Sequence, residues 1–115
     1  MVVDFLVEGE VLLVCVRNVG AGCAHRIRVV FEPEFHGLGG GLRVPGLALF
    51  ERLRFLAPGR EIRSLVDVVS AYFGRGEPEV VEVTVTYCDD AGRQYRRRLS
   101  HDLGVYRDLP RAGSH

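Results

Sequence analysis

Apolar and polar residues alternate at period two through Val80-Val81-Glu82-Val83-Thr84-Val85-Thr86-Tyr87-Cys88. The run breaks at Asp89-Asp90-Ala91-Gly92 and resumes at Arg93-Gln94-Tyr95. Alternation places successive side chains on opposite faces of a strand, and a type I turn closed by a left-handed glycine makes a three-residue hairpin loop of Asp90-Ala91-Gly92. That loop sets a register: Asp89 opposite Arg93, Tyr87 opposite Tyr95, Val85 opposite Arg97, and Val83 opposite Leu99. Val83, Val85, Tyr87, Tyr95 and Leu99 then share a core face, while Glu82, Thr84, Thr86, Arg96 and Arg98 share a wet one. Arg97 falls on the apolar face, so it belongs at a sheet rim or beside a bulge.

Other segments repeat the pattern. Residues 2–7 read as a strand, ended by Glu8-Gly9. Residues 10–17 are almost continuously apolar, as in a strand central to its sheet. Asn18-Val19-Gly20-Ala21-Gly22 is a turn cluster in which Asn and Gly are expected to supply positive φ. Residues 24–32 form a strand with Ile27, Val29 and Phe31 on one face and Arg26, Arg28 and Val30 on the other; Pro33 stops it. Residues 34–46 contain five glycines and read as a mobile loop. Residues 47–56 fit a helical turn or a strand equally well. Ala57-Pro58-Gly59-Arg60 fits a type II turn. Residues 61–69 form a strand bent near Ser64-Leu65, and 70–73 one helical turn. Leu103, Val105, Tyr106 and Leu109 are expected to cap the open end of the core. The strand count and turn spacing predict an all-β chain, an antiparallel β-sandwich of about seven strands with at most one short helical turn. It occupies residues 1–110 as one domain, with 111–115 a frayed tail.

The segments also carry a resemblance. Val16-Arg17-Asn18-Val19-Gly20-Ala21-Gly22-Cys23-Ala24-His25-Arg26-Ile27-Arg28-Val29 resembles the asparagine-glycine run of bacterial immunoglobulin-like sandwich domains, the cell-adhesion-related (CARDB-like) kind. Leu56-Ala57-Pro58-Gly59-Arg60-Glu61-Ile62 resembles their proline-glycine turn. Val85 to Tyr95 resembles their tyrosine-aspartate-glycine hairpin. The three lie in the same order over residues 10–107. The resemblance implies an immunoglobulin-like sandwich and an extracellular-style or membrane-proximal module, the soluble part of a membrane-associated protein. It carries over no catalytic residue, and Cys23 departs from the proline or small residue usual at its position.

Composition narrows the function. The formal net charge is zero, with 15 basic and 15 acidic residues, and every basic residue is arginine. A neutral balance gives no electrostatic reason for a nucleic-acid partner. Arg93, Arg96, Arg97 and Arg98 form a basic cluster that reads as a solvated face paired with Glu82, Asp89 and Asp90. The N-terminus has an acid at position 4 and no basic leader, and no apolar run reaches the roughly 18–20 residues of a membrane helix. A soluble, cytoplasmic chain with reduced thiols is the default expectation.

The candidate chemistry lies in cysteine and histidine. Cys23 and His25 sit two apart on one strand face and share a metal ion if Cys15, Cys88 or His101 comes near. Cys23, His25, Cys88 and His101 are therefore the candidate metal set, although no Cys-x-x-Cys pair supports it. Cys15 and Cys88 occupy an early and a late strand, as the inter-sheet disulfide of immunoglobulin domains does, yet the register puts Cys88 on the wet face. Cys23 or Cys88 with His25 or His101 would make a nucleophile and base, but no strand–nucleophile–helix elbow is present. The Gly37–Gly41 loop lacks the lysine and following helix of a phosphate cradle. The reading is a non-enzymatic protein-interaction or assembly module without a cofactor. It would bind a protein partner, or itself, through a sheet edge. The alternative is a small Cys/His metal-binding or thiol-dependent accessory protein.

Overall fold

The computed structural model describes residues 1–110. The tail expected to fray, 111–115, lies outside the described residues. Seven strands of four or more residues form two sheets: β1 (Val2–Glu8), β2 (Val11–Arg17), β3 (Ala24–Glu32), β6 (Leu53–Leu56), β7 (Glu61–Val68), β8 (Val80–Cys88) and β9 (Gln94–Asp102). Two two-residue strands, β4 (His36–Gly37) and β5 (Leu42–Arg43), pair with each other. One sheet has the order β1-β2-β7 and the other β6-β3-β8-β9, with every pairing antiparallel. The fold is an all-β sandwich.

The hairpin adopts the register expected from its turn, with Tyr87 opposite Tyr95, Val85 opposite Arg97 and Val83 opposite Leu99. Asp89 N–H donates to the Arg93 carbonyl at 3.0 Å, and Gly92 sits at φ +82°. No bulge displaces Arg97. It stays at the sandwich rim because β9 is an outermost strand, exposed along most of its length. There it lies beside the Met1 ammonium, whose pKa is lowered by burial first and by Arg97 second.

Between the sheets, Phe5, Leu12, Val14 and Val16 face Ile27, Val29, Phe31, Val81, Val83 and Val85, all buried. Each such side chain stabilises the fold by about 1.5–3 kcal/mol relative to exposure. Phe31 packs edge-to-face on Phe50 at 4.8 Å and on Phe35 at 5.3 Å, the geometry the ring quadrupole favours.

Several expectations are corrected. The glycine-rich stretch 34–46 is not a free loop: Phe35 and Val44 are fully buried within it. Gly37 packs so closely on β7 that a Cβ there would stand 2.0 Å from the Val66 carbonyl oxygen. Gly39 N–H donates to Asp67 Oδ2 at 2.9 Å, and Asp67 pairs with Arg75 at 2.7 Å. Burial pushes the Asp67 carboxyl up, but the Gly39 N–H, Arg75 and the Val68 N–H outweigh it and hold the pKa below its ordinary value.

The ambiguous stretch 47–56 is both elements in turn, a helix α1 (Ala48–Glu51) and then β6. With α2 (Val69–Phe73) this makes two short helices, one more than expected. Nothing in the 18–22 turn uses positive φ. The buried Asn18 side chain organises it instead, donating to the carbonyls of Gly22 and Leu56, both at 2.9 Å, and accepting from Gly20 N–H at 3.0 Å. At the C-terminal end only Leu103 is buried; Val105 and Leu109 are exposed.

Candidate functional site

A sandwich binds other chains through its loops, its faces or its unpaired edges, and this one has four edges: β1, β7, β6 and β9. Three are blunted. In an antiparallel pair, alternate residues bond to the neighbour and the others turn N–H and C=O away. On β1 the outward residues include Val3 and Phe5. His101 Nε2 donates to the Val3 carbonyl at 2.8 Å and Tyr106 Oη to the Phe5 carbonyl at 2.8 Å. Phe5 N–H turns onto Asp4 Oδ1 at 2.8 Å. The β7 edge is covered in its second half by β4, through Gly37 against Val66. The β6 strand is four residues long.

The β9 edge is different. Because Asp89 and Arg93 form a bonded pair, the odd-numbered residues of β9 bond to β8. Gln94, Arg96, Arg98 and Ser100 therefore turn their backbone groups outward. Among the described residues nothing pairs with them. The same four side chains lie on the outer face, where Arg96 and Arg98 join Arg28, Glu82 and Thr84 around an open recess of about 410 Å³. A second recess of about 530 Å³ is lined by Arg26, Thr86, Cys88, Gln94, Tyr95 and Arg96. Arg98 pairs with Glu82, whereas Arg26, Arg28, Arg96 and Arg97 make no ion pair among the described residues. The expected pairing of the arginine cluster is thus only partly formed. Asp89 is occupied within the turn, accepting from Arg93 N–H at 2.9 Å, Ala91 N–H at 3.0 Å and Tyr95 Oη at 3.0 Å.

The cysteine and histidine candidates divide. His25 and Cys88 are cross-strand partners, and His25 Nε2 donates to Asp90 Oδ1 at 2.7 Å. Cys23 joins them through its backbone N–H, 3.3 Å from Asp90 Oδ2. The Asp90 pKa is lowered, by the His25 hydrogen bond first. His101, near the end of β9, packs against β1 away from this group, with its ring 5.2 Å from that of Phe5. Among the described residues no group of three or more His, Cys, Asp or Glu side chains is arranged to hold a metal ion.

Cys15, Cys23 and Cys88 are all free thiols, so the Cys15–Cys88 pairing is not made. Cys15 is buried, and burial first and its hydrogen bond to Glu61 second push its pKa up to about 11. The four candidates therefore form no single site, and the histidines serve the frame: one ties the hairpin loop to β3, the other covers β1.

Sequence reasoning found the arginines of β9 but took them as a solvated face. The signal for an open edge was the turn itself, since hairpin register decides which residues of the second strand face outward. The covering of β1 left no local signal, because His101 and Tyr106 lie about a hundred positions from the groups they bond.

Among the described residues no helix is long and apolar enough to cross a membrane. No curated protein matches the chain, and neither does any solved structure. Residues 1–107, nearly the whole sandwich, match the model of the family described as Domain of unknown function (DUF8453), and the chain belongs to that family.

Proposed function

We propose that the protein is a non-enzymatic interaction module of immunoglobulin-like type that docks another protein chain on the edge of β9. The observation that carries this is the asymmetry of the edges. Side chains from distant parts of the chain cover β1, a glycine hairpin covers part of β7, and among the described residues nothing covers the nine-residue β9. Unpaired edges invite strand addition, and proteins normally blunt the ones they do not use. The strand order supports the immunoglobulin-like reading: of the seven long strands, the first, second and fifth form one sheet and the fourth, third, sixth and seventh the other.

Photo-crosslinking in the producing cells tests the function. A benzophenone side chain at Gln94, exposed at the start of β9, is expected to capture one specific chain, and the same group at Leu6 on β1 is not. The captured chain, once purified, should bind the wild type and lose binding to Arg98→Pro. Proline is tolerated on an edge strand where its missing N–H would have faced outward. Capture at Leu6 and not at Gln94 would overturn the reading.

A second reading, a thiol-dependent accessory protein, is favoured by the convergence of His25, Asp90 and Cys88. It predicts that Cys88 alkylates faster than Cys23 and loses that excess in His25→Ala. Equal rates for the two thiols would dismiss it.

A further inference from the structure

We infer that the occupant of the β9 edge is an acidic extended segment of a partner protein, added antiparallel or parallel as a fifth strand of the β6-β3-β8-β9 sheet. The inference rests on the interaction-module reading and names its ligand.

The backbone supplies the first half of the recognition. Gln94, Arg96, Arg98 and Ser100 offer outward N–H and C=O groups at every second residue, the spacing an extended chain needs. Side chains supply the second half. A strand laid on β9 brings alternate residues beside Arg96 and Arg98 on the outer face and the intervening one beside Arg97 on the other face. Among the described residues Arg96 and Arg97 have no acidic partner, and Arg26 and Arg28 extend the positive strip across β3. Opposite charges directly across two strands stabilise the pair and like charges oppose it. An incoming strand that is acidic at three consecutive positions meets Arg96, Arg97 and Arg98 together.

Charge also opposes a second copy of the chain in the register that brings the three arginines together. A second copy of the chain, paired β9 to β9 about a two-fold axis at Arg97, sets Arg97 against Arg97 and Arg96 against Arg98. Every central pair then carries like charge. In that register the self-association expected from sequence is opposed at β9, and at β1 His101 and Tyr106 cover the outward carbonyls of Val3 and Phe5. A nucleic acid would use the arginines but not the outward backbone groups of Gln94, Arg96, Arg98 and Ser100.

The test is a fluorescence-anisotropy titration of the purified protein with four labelled probes. They are an eight-residue peptide with three consecutive central glutamates, its glutamine counterpart, the glutamate peptide with every central backbone amide N-methylated, and an oligothymidylate. The glutamate peptide is expected to bind, to weaken at least about tenfold between about 0.05 and 0.5 M salt, and to lose binding to Arg96→Glu/Arg97→Glu. The glutamine and N-methylated peptides should bind at least about tenfold more weakly. Thermal melts of the variant verify its fold.

Equal binding of the N-methylated peptide would overturn strand addition. Equal binding of the glutamine peptide, or tighter binding of the oligothymidylate, would overturn the acidic-segment assignment, as would no binding of the glutamate peptide up to about 1 mM. Crosslinking at Gln94 separates the two levels of the argument. Capture of a neutral segment there sinks only the acidic ligand, and capture of nothing there sinks the docking edge as well.

Discussion

Replacing Asn18 by alanine tests how the sandwich ends are held. The side chain is 3% exposed and makes three hydrogen bonds: to the Gly22 carbonyl, to the Leu56 carbonyl and from Gly20 N–H. Its backbone adds two more, donating to the Arg60 carbonyl at 3.0 Å and accepting from Gly59 N–H at 2.7 Å. Those two survive the substitution. Gly20 and Gly22 are exposed, so water replaces their lost partner at little cost. Leu56 is 2% exposed, and its carbonyl would lose a buried donor, a penalty of about 1–3 kcal/mol. With a few tenths for each exposed bond the total is about 2–3 kcal/mol. At an unfolding entropy near 2.1 cal/mol/K per residue, that lowers Tm by about 10 °C in a chain of this length. Circular-dichroism melts and urea titrations measure it directly. Asn18→Asp, which keeps the acceptor and loses the amide donor, should fall nearly as far. A Tm within about 2 °C of wild type for Asn18→Ala would refute the claim that this side chain joins the turn to β6.

Three further outcomes follow from the same geometry. Gly37→Ala has no room for its methyl beside the Val66 carbonyl, so it should displace the glycine hairpin and cost at least about 2 kcal/mol by urea unfolding. The Asp67 carboxyl is held below its ordinary value, so the stability it contributes is present above the unfolded-chain pKa near about 4 and is lost as pH falls through the lower folded value. Urea midpoints from pH 6 down to about 2.5 should drop less in Asp67→Asn than in wild type, and equal drops would count against the Gly39–Asp67–Arg75 linkage. Iodoacetamide at about pH 8 should label Cys23 and Cys88 in the native protein and leave Cys15, with its pKa raised to about 11, unlabelled by mass spectrometry until urea is added.

The legible parts of the sequence were those set by local rules. The Asp90-Ala91-Gly92 loop dictated the β8–β9 register residue by residue, and Pro58-Gly59 dictated a turn with Gly59 at φ +76° and Arg60 N–H donating to the Ala57 carbonyl at 3.1 Å. Alternation placed Ile27, Val29 and Phe31 in the core. What escaped was set by partners far along the chain. Five glycines in residues 34–46 spoke for a loop, and only the unseen contact with Val66 and Asp67 shows why Gly37 and Gly39 are needed there. Phe35 and Val44 in the same stretch were the signal that it is anchored. Asn18 was read for its backbone freedom, whereas its amide does the work across 38 residues to Leu56. Of the candidate site, His25 and Cys88 do meet, because strand pairing joins them. His101 does not, since it faces β1.

Residue-resolved amide exchange along β9 tests the open edge most directly. With even residues turned outward and odd ones bonded to β8, Arg96, Arg98 and Ser100 should exchange fast while Tyr95, Arg97 and Leu99 are protected, and addition of the glutamate peptide should slow the fast set alone. A β9 protected at every position in the free protein, or a fast set unchanged by a bound peptide, would contradict docking on this edge.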